Sequence, residues 1–333
     1  MGDVLRTTPL LSELKRNYPV SKITWLVEPV CRSVLENNPY IDSLITYSKE
    51  SLSLLKQEPF DLSVNLDKEP EAIDALMEIP SKKKMGFGRS KEGTLCALDS
   101  LSDYAYRLGI DDELKFKKNK KTYQEISFEQ MGFQFHKEEY VFSVDFESAG
   151  WAINYLKRLG FDLAQKSKPV VGLNTGSGKR FAGKRLPVAA FILLAEKFYS
   201  QMNATVFLLG GEDEVERNAE IFRASKVPTI NTGSHSIQRF SAIVQACDLV
   251  VSGDTTAMHI AIAVKVPVVA YFASTCSAEI ELYDRGEKIV SKIPCAPCYK
   301  KNCPIQEQCM KDMSAENIFK VSKRVLGSIT KRP

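Results

Sequence analysis

The chain is 333 residues long, 44% hydrophobic and 26% charged, which supplies apolar surface for more than one core and excludes disordered, collagen-like and low-complexity classes. Its formal net charge of +4 is mild and comes without a recognition motif or interleaved aromatics, which argues against nucleic acid as a partner. The longest apolar run, over 260–273, is interrupted by Lys265 and falls short of the roughly 18 to 20 residues that a membrane-spanning helix needs.

The opening Gly2-Asp3-Val4-Leu5-Arg6-Thr7-Thr8-Pro9 puts an Asp and small polar residues where a strand would give way to a helix, the place where open α/β sheets bind ligands. Thr8 is expected to cap that helix with Pro9 at its first position, and Leu10, Leu11 and Leu14 supply its buried stripe. Strands over 23–27, 43–47 and 62–66 then alternate with helices over 30–36 and 51–56, the pattern of βαβ units. No apolar strand stands ahead of the first Asp-bearing turn, so the N-terminal sheet is expected to lack an inner strand and to be the less stable of the two sheets. Over 85–121 the pattern loosens into Gly- and Lys-rich sequence with one helix, 94–108, expected as a mobile lobe.

A helix over 148–159 and a Lys- and Ser-bearing linker at 165–169 precede a new apolar strand at 170–174, which sets the expected domain boundary: 1–166 and 167–333. The second half reads as strands at 205–210, 248–252 and 267–272 with helices at 188–202, 213–224, 236–246 and 257–264, a second doubly wound sheet. Three loops in it carry chemistry. Thr175-Gly176-Ser177-Gly178 follows the first strand and is succeeded by Lys179, Arg180, Lys184 and Arg185, a source of phosphate-binding donors and cations. Gly178, Gly183 and Lys184 have P-loop spacing, but Arg185 stands where Ser or Thr is required and Pro187 follows, so a Walker site is rejected. Glu212 comes after Gly210-Gly211, where a carboxylate either holds ribose hydroxyls or merely favours a helix N-terminus. Ser252-Gly253-Asp254-Thr255-Thr256-Ala257-Met258-His259 opens a helix whose backbone N–H groups suit a phosphate.

The opening segment, Lys184-Arg185-Leu186-Pro187, Leu209-Gly210-Gly211-Glu212 and Asp254-Thr255 with His259, in that order, resemble the heptosyltransferases of glycosyltransferase family 9, over Gly2 to about Phe319. The resemblance implies a GT-B fold, two Rossmann-like domains facing a cleft, with the acceptor on the first and the nucleotide sugar on the second. It implies inverting, metal-independent transfer of heptose from ADP-heptose to a lipopolysaccharide core or lipid-linked acceptor. Asp3 is then the base, although it also suits a helix cap. Lys184 meets the diphosphate, unless it is an ordinary solvated basic residue, and Glu212 meets the nucleoside. Thr175, Gly176, Ser177, Thr255, Thr256 and Ala257 line the donor site, Asp254 holds sugar hydroxyls, and His259 is either a ligand contact or a buried structural donor. Thr256 departs from the Gly frequent in the family, which leaves another nucleotide sugar open. The apparent lack of a first strand leaves open a binding protein without turnover.

Cys295-x2-Cys298-x4-Cys303-x5-Cys309 gathers four of the eight cysteines. With no basic stretch and apolar core at the N-terminus to act as a secretion signal, a cytoplasmic protein is expected, and such density there favours a metal over disulfides. Structural zinc, a redox or iron–sulfur site and reduced buried thiols all stay open, because the spacing matches no standard two-pair zinc ribbon. Lys82-Lys83-Lys84 and Lys115, Lys117, Lys118, Lys120 and Lys121 form either a solvated surface or a patch for peripheral contact with anionic membrane.

Overall fold

A computed structural model describes residues 1–177 and 184–329; the expected Gly178, Lys179 and Arg180 of the phosphate loop lie outside them. The chain divides into two compact units. The first holds Met1, residues 3–141 and the returning segment 278–281; the second holds Gly2 and the rest.

The first unit opens on α1 (Gly2–Thr7) and α2 (Pro9–Asn17). Thr8 is itself helical, with φ −59° and ψ −27°. Its hydroxyl donates to the Leu5 carbonyl at 2.7 Å and accepts from the Val141 N–H at 2.9 Å instead of capping α2. Asp3 therefore sits in the first turn of a helix, not on a strand-to-helix turn. There follow β1 (Thr24–Val27), β2 (Ser43–Thr46), α3 (Lys49–Leu55), β3 (Phe60–Asn65), α4 (Pro70–Glu78), β4 (Ser81–Arg89), β5 (Leu95–Ala97), α5 (Asp103–Arg107) and α6 (Tyr123–Gln130). The strands form two separate sheets, parallel β1–β2 and mixed β3–β4–β5. Among the described residues β1 and β3 each pair with a single strand, and both are largely half-buried.

The helix expected over 94–108 is corrected. Residues 95–97 instead pair antiparallel with the end of β4. The Asp99 carboxylate then accepts from the Ser102 N–H at 3.0 Å, a local side-chain bond that starts a new turn and confines the helix to α5.

The second unit comprises α7 (Phe146–Arg158), β6 (Val170–Asn174), α8 (Val188–Met202), β7 (Thr205–Leu209), α9 (Val215–Ala224), β8 (Ile230–Asn231), α10 (Ile237–Gln245), β9 (Leu249–Gly253), α11 (Thr256–Ala263), β10 (Val268–Phe272), β11 (Gly286–Val290), α12 (Gln308–Lys311) and α13 (Ala315–Ile329). The units part after Val141, ahead of the 166/167 boundary read from sequence. Trp151 and Tyr155 of α7 explain the grouping: they stack at 4.6 Å and both meet His235 edge-on at 4.7 Å, just before α10.

The six strands are all parallel, in the order β11-β10-β9-β6-β7-β8. β6, β9 and β10 are buried along their whole length, as strands covered on both faces must be, which is why they read as unbroken apolar runs. Phe191, Leu194 and Phe198 of α8 join Ile318 and Phe319 of α13 over one face of the sheet.

Candidate active site

The order of strands places the site. From β6 the chain builds outward through β7 to β8, then returns to the other side of β6 as β9. The loops leaving the C-terminal ends of β6 and β9 therefore diverge, and a crevice at such a switch point is where open α/β sheets bind ligands.

Its floor is a hydroxyl–amide lattice. The Asn174 side-chain amide, at the end of β6, is within 3.1 Å of the Gly176 carbonyl, 3.1 Å of the Ser252 hydroxyl and 3.2 Å of the Thr255 hydroxyl. Ser252 in turn donates to the Gly253 carbonyl at 2.8 Å. Thr255 caps α11 by accepting from the Met258 N–H. These buried bonds fix the N-terminus of α11, the positive end of its dipole.

Lys184 is aimed at the same point. Its ammonium donates to the Asp254 carbonyl at 2.8 Å and lies 3.5 Å from the Asp254 carboxylate. The Lys184 carbonyl stands 2.9 Å from where a Cβ on Gly253 would be, so only glycine at the end of β9 lets this backbone come so close. The other carboxylate oxygen of Asp254 is 3.9 Å from His259 Nε2, and the His259 side chain is 6% exposed. Lys184, Asp254, Thr255 and His259 are thus brought together. Thr256 and Ala257 form the first turn of α11 behind them.

On the other side of β6, Thr175 is fully buried, its N–H donating to the Leu209 carbonyl and its hydroxyl to Asn218. Gly176 is buried too, and Ser177 is half-exposed. Glu212 faces solvent. The buried carboxylate is Glu214, 7% exposed: one oxygen accepts from the Gly211 N–H at 3.0 Å, and the other has no hydrogen-bond partner among the described residues. A Cβ on Gly176 would fall 2.2 Å from its carboxyl carbon, so the glycine loop lies directly on this group. Sequence reasoning missed Glu214, Asn174 and Ser252.

Asp3 belongs to the first unit. It lies 71% exposed at the start of α1, with the Arg6 guanidinium 2.7 Å away.

Cys295, Cys298, Cys303 and Cys309 are the expected zinc ligands. Among the described residues no group of three or more His, Cys, Asp or Glu side chains is placed to hold a metal ion. Cys295 is exposed, whereas Cys309 is buried among core residues that include Met310 and Met313, and burial, reinforced by the neighbouring thiols, pushes its thiol pKa up. Cys303 Sγ accepts from the Glu307 N–H at 3.2 Å.

Two α/β units, the second with a cation and a helix N-terminus meeting at its switch point, define the class as GT-B, the glycosyltransferase architecture of paired Rossmann-like units. A glycosyltransferase family 9 structure from Veillonella parvula aligns over 98% of this chain and 94% of its own, with TM-score 0.74 and 19% identity. The E. coli heptosyltransferase WaaC with ADP aligns over 98% and 97%, with TM-score 0.63 and 14% identity. At these identities the likeness is one of fold. The chain belongs to glycosyltransferase family 9 (heptosyltransferase), whose sequence profile it matches over residues 55–309. Lipooligosaccharide heptosyltransferase 2 of Campylobacter jejuni subsp. jejuni is 28% identical over 171 residues, which are 49% of this chain and 53% of that protein; the chain thus spans about half the length of this curated relative.

Proposed function

We propose that the protein transfers heptose, with inversion and without a metal, from ADP-heptose to a lipopolysaccharide core acceptor. The observation that carries the reading is the convergence of Lys184 and the N-terminus of α11 on Asp254 at the switch point. A leaving nucleoside diphosphate develops negative charge, and a preorganised cation with aligned N–H donors stabilises it. Asp254 holds sugar hydroxyls, and Glu214, in place of Glu212, offers its open oxygen to the ribose. The acceptor hydroxyl oxygen attacks the anomeric carbon, the bond to the diphosphate oxygen breaks with its electron pair leaving on ADP, and the Asp3 carboxylate takes the hydroxyl proton. ADP as the nucleotide is supported by the ligand of WaaC. The second unit is the donor domain and the first the acceptor domain, in a cytoplasmic protein working at the periphery of the inner membrane.

Calorimetric titration with ADP, UDP and GDP tests this, with Asp254→Ala as control. Selective ADP binding that weakens in the variant is expected. A preference for UDP or GDP would discard ADP-heptose, and no nucleotide binding at all would overturn the transferase reading.

A further inference from the structure

Arg6 is an unusual partner for an exposed carboxylate. In an ordinary i,i+3 pair on a helix both side chains stand in water, whereas the Arg6 side chain is 18% exposed and its Asp3 partner 71%. The guanidinium lies 3.8 Å from the centroid of the Tyr123 ring and 4.0 Å from the Glu279 carboxylate. Its Nε is buried with no hydrogen-bond partner among the described residues. Tyr123 is anchored in turn, its N–H donating to the Glu279 carbonyl at 2.9 Å and its hydroxyl 3.4 Å from the Thr7 hydroxyl. Gln124, 1% exposed, donates to the Arg6 carbonyl and the Tyr140 hydroxyl, both at 3.2 Å. The cation is thus gripped from below, and the carboxylate is the one member of the pair left facing out.

Burial works against the Arg6 charge, but Asp3, Tyr123, Glu279 and Tyr140 outweigh it and raise its pKa above the ordinary range. Asp67 also faces Tyr123. Glu279 faces a second cation, Lys68, whose pKa is pushed down to about 8 by burial first and by Lys115 next, against the pull of Glu279.

We propose that Arg6 is a positioning residue of the transfer, fixing the Asp3 carboxylate in orientation and charge, with Glu279 on the returning 278–281 segment moderating it. The proposal rests on the reading of Asp3 as the base. Its signature is a pair of opposite effects. A neighbouring cation favours an ionised carboxylate and a neighbouring anion disfavours it, so neutralising Arg6 moves Asp3 titration to higher pH and neutralising Glu279 moves it to lower pH.

The test is an NMR titration of protein labelled with 13C at the aspartate carboxyls, the Asp3 resonance being assigned with Asp3→Asn. In Arg6→Gln the midpoint is expected to rise by about 0.5 to 1 pH unit, the exposed side of Asp3 limiting the effect. In Glu279→Gln it falls by less. In parallel, ADP release is followed from ADP-heptose with a lipopolysaccharide core oligosaccharide as acceptor. Arg6→Gln should move the acid limb of kcat/KM with the NMR midpoint and lower kcat roughly tenfold while KM for ADP-heptose holds, because misaimed catalytic groups cost rate and not binding. Arg6→Lys should recover part of the loss. If Arg6→Gln does not fold, Glu279→Gln, which keeps the side-chain shape, carries the test. Shifts of the same sign in both variants, or none in either, overturn the proposal. An active Asp3→Asn would remove the base reading and the proposal with it, whereas an inactive Asp3→Asn beside an unmoved titration would remove this proposal alone.

Discussion

Glu212 and Glu214 share one turn after β7 but not one environment. Glu212 points into water, while Glu214 is pressed against Gly176 with one oxygen committed to the Gly211 N–H and the other open. A carboxylate whose free acceptor is already desolvated gains more from a ribose hydroxyl than one that must first shed water, since hydrogen bonds to charged groups contribute about 1.5–3 kcal/mol. Glu214→Gln should therefore weaken ADP binding roughly tenfold and Glu212→Gln less than about twofold by calorimetry. Equal losses in the two variants would contradict the assignment. Local sequence could not separate them, because two acids two residues apart carry the same signal and only the contact with Gly176 decides. Lys184, Asp254, Thr255 and His259 were legible, being charged or small polar residues next to strand ends. The cysteine spacing shows the converse limit: it does not say which thiols face the core, and Cys309 does.

At the scale of elements, β6, β7, β9 and β10 of the second unit were legible and its edge strands β8 and β11 were not, since strands buried on both faces leave apolar runs between amphipathic helices. In the first unit α2, β1, β2, β3 and α3 were legible and the rest was not. Its β4 begins with exposed Lys82 and Lys83 and looks like a surface loop, and β5 is three residues of a hairpin that a helical pattern also fits. Neither α4 nor α6 was expected, although Pro70 at the first position and the Thr122–Glu125 capping box are start signals. The helix α13 braces the second unit from outside the sheet: Phe319 meets Phe198 of α8 edge-on at 5.2 Å, and Lys197 of α8 pairs with Glu316 at 2.6 Å. Phe319 is 3% exposed, and a buried Phe→Ala costs about 3–5 kcal/mol. Phe319→Ala should lower the urea midpoint accordingly while ADP affinity, measured well below that midpoint, stays within about twofold, because Phe319 packs on Phe198 in the core of this unit. A loss under about 1 kcal/mol would mean that α13 is not part of this core.

For the molecule as a whole, the question is what its positive charge does. The described helices include none long and apolar enough to cross a membrane; the surface charge is what bears on the proposed encounter with a lipid-linked acceptor. The lysine clusters are partly neutralised at home: Lys82 pairs with Asp61 at 2.7 Å, Lys118 with Glu113 at 3.1 Å and Lys121 with Glu129 at 2.6 Å. What remains is a net charge of +4 spread over 333 residues, and each uncompensated basic residue near an anionic surface contributes about 1 kcal/mol at most. Membrane association is therefore expected to be weak and electrostatic. Screening lengths shrink from about 30 Å at ~10 mM salt to about 8 Å at ~150 mM. Sedimentation with phosphatidylglycerol vesicles should accordingly recover a measurable fraction of protein at the lower salt and several times less at the higher, with no binding to neutral phosphatidylcholine vesicles at either. Binding that ignores salt would instead point to insertion of exposed apolar side chains such as Ile110, which is 65% exposed. No binding at low salt would mean that the acceptor is reached without help from the lipid surface.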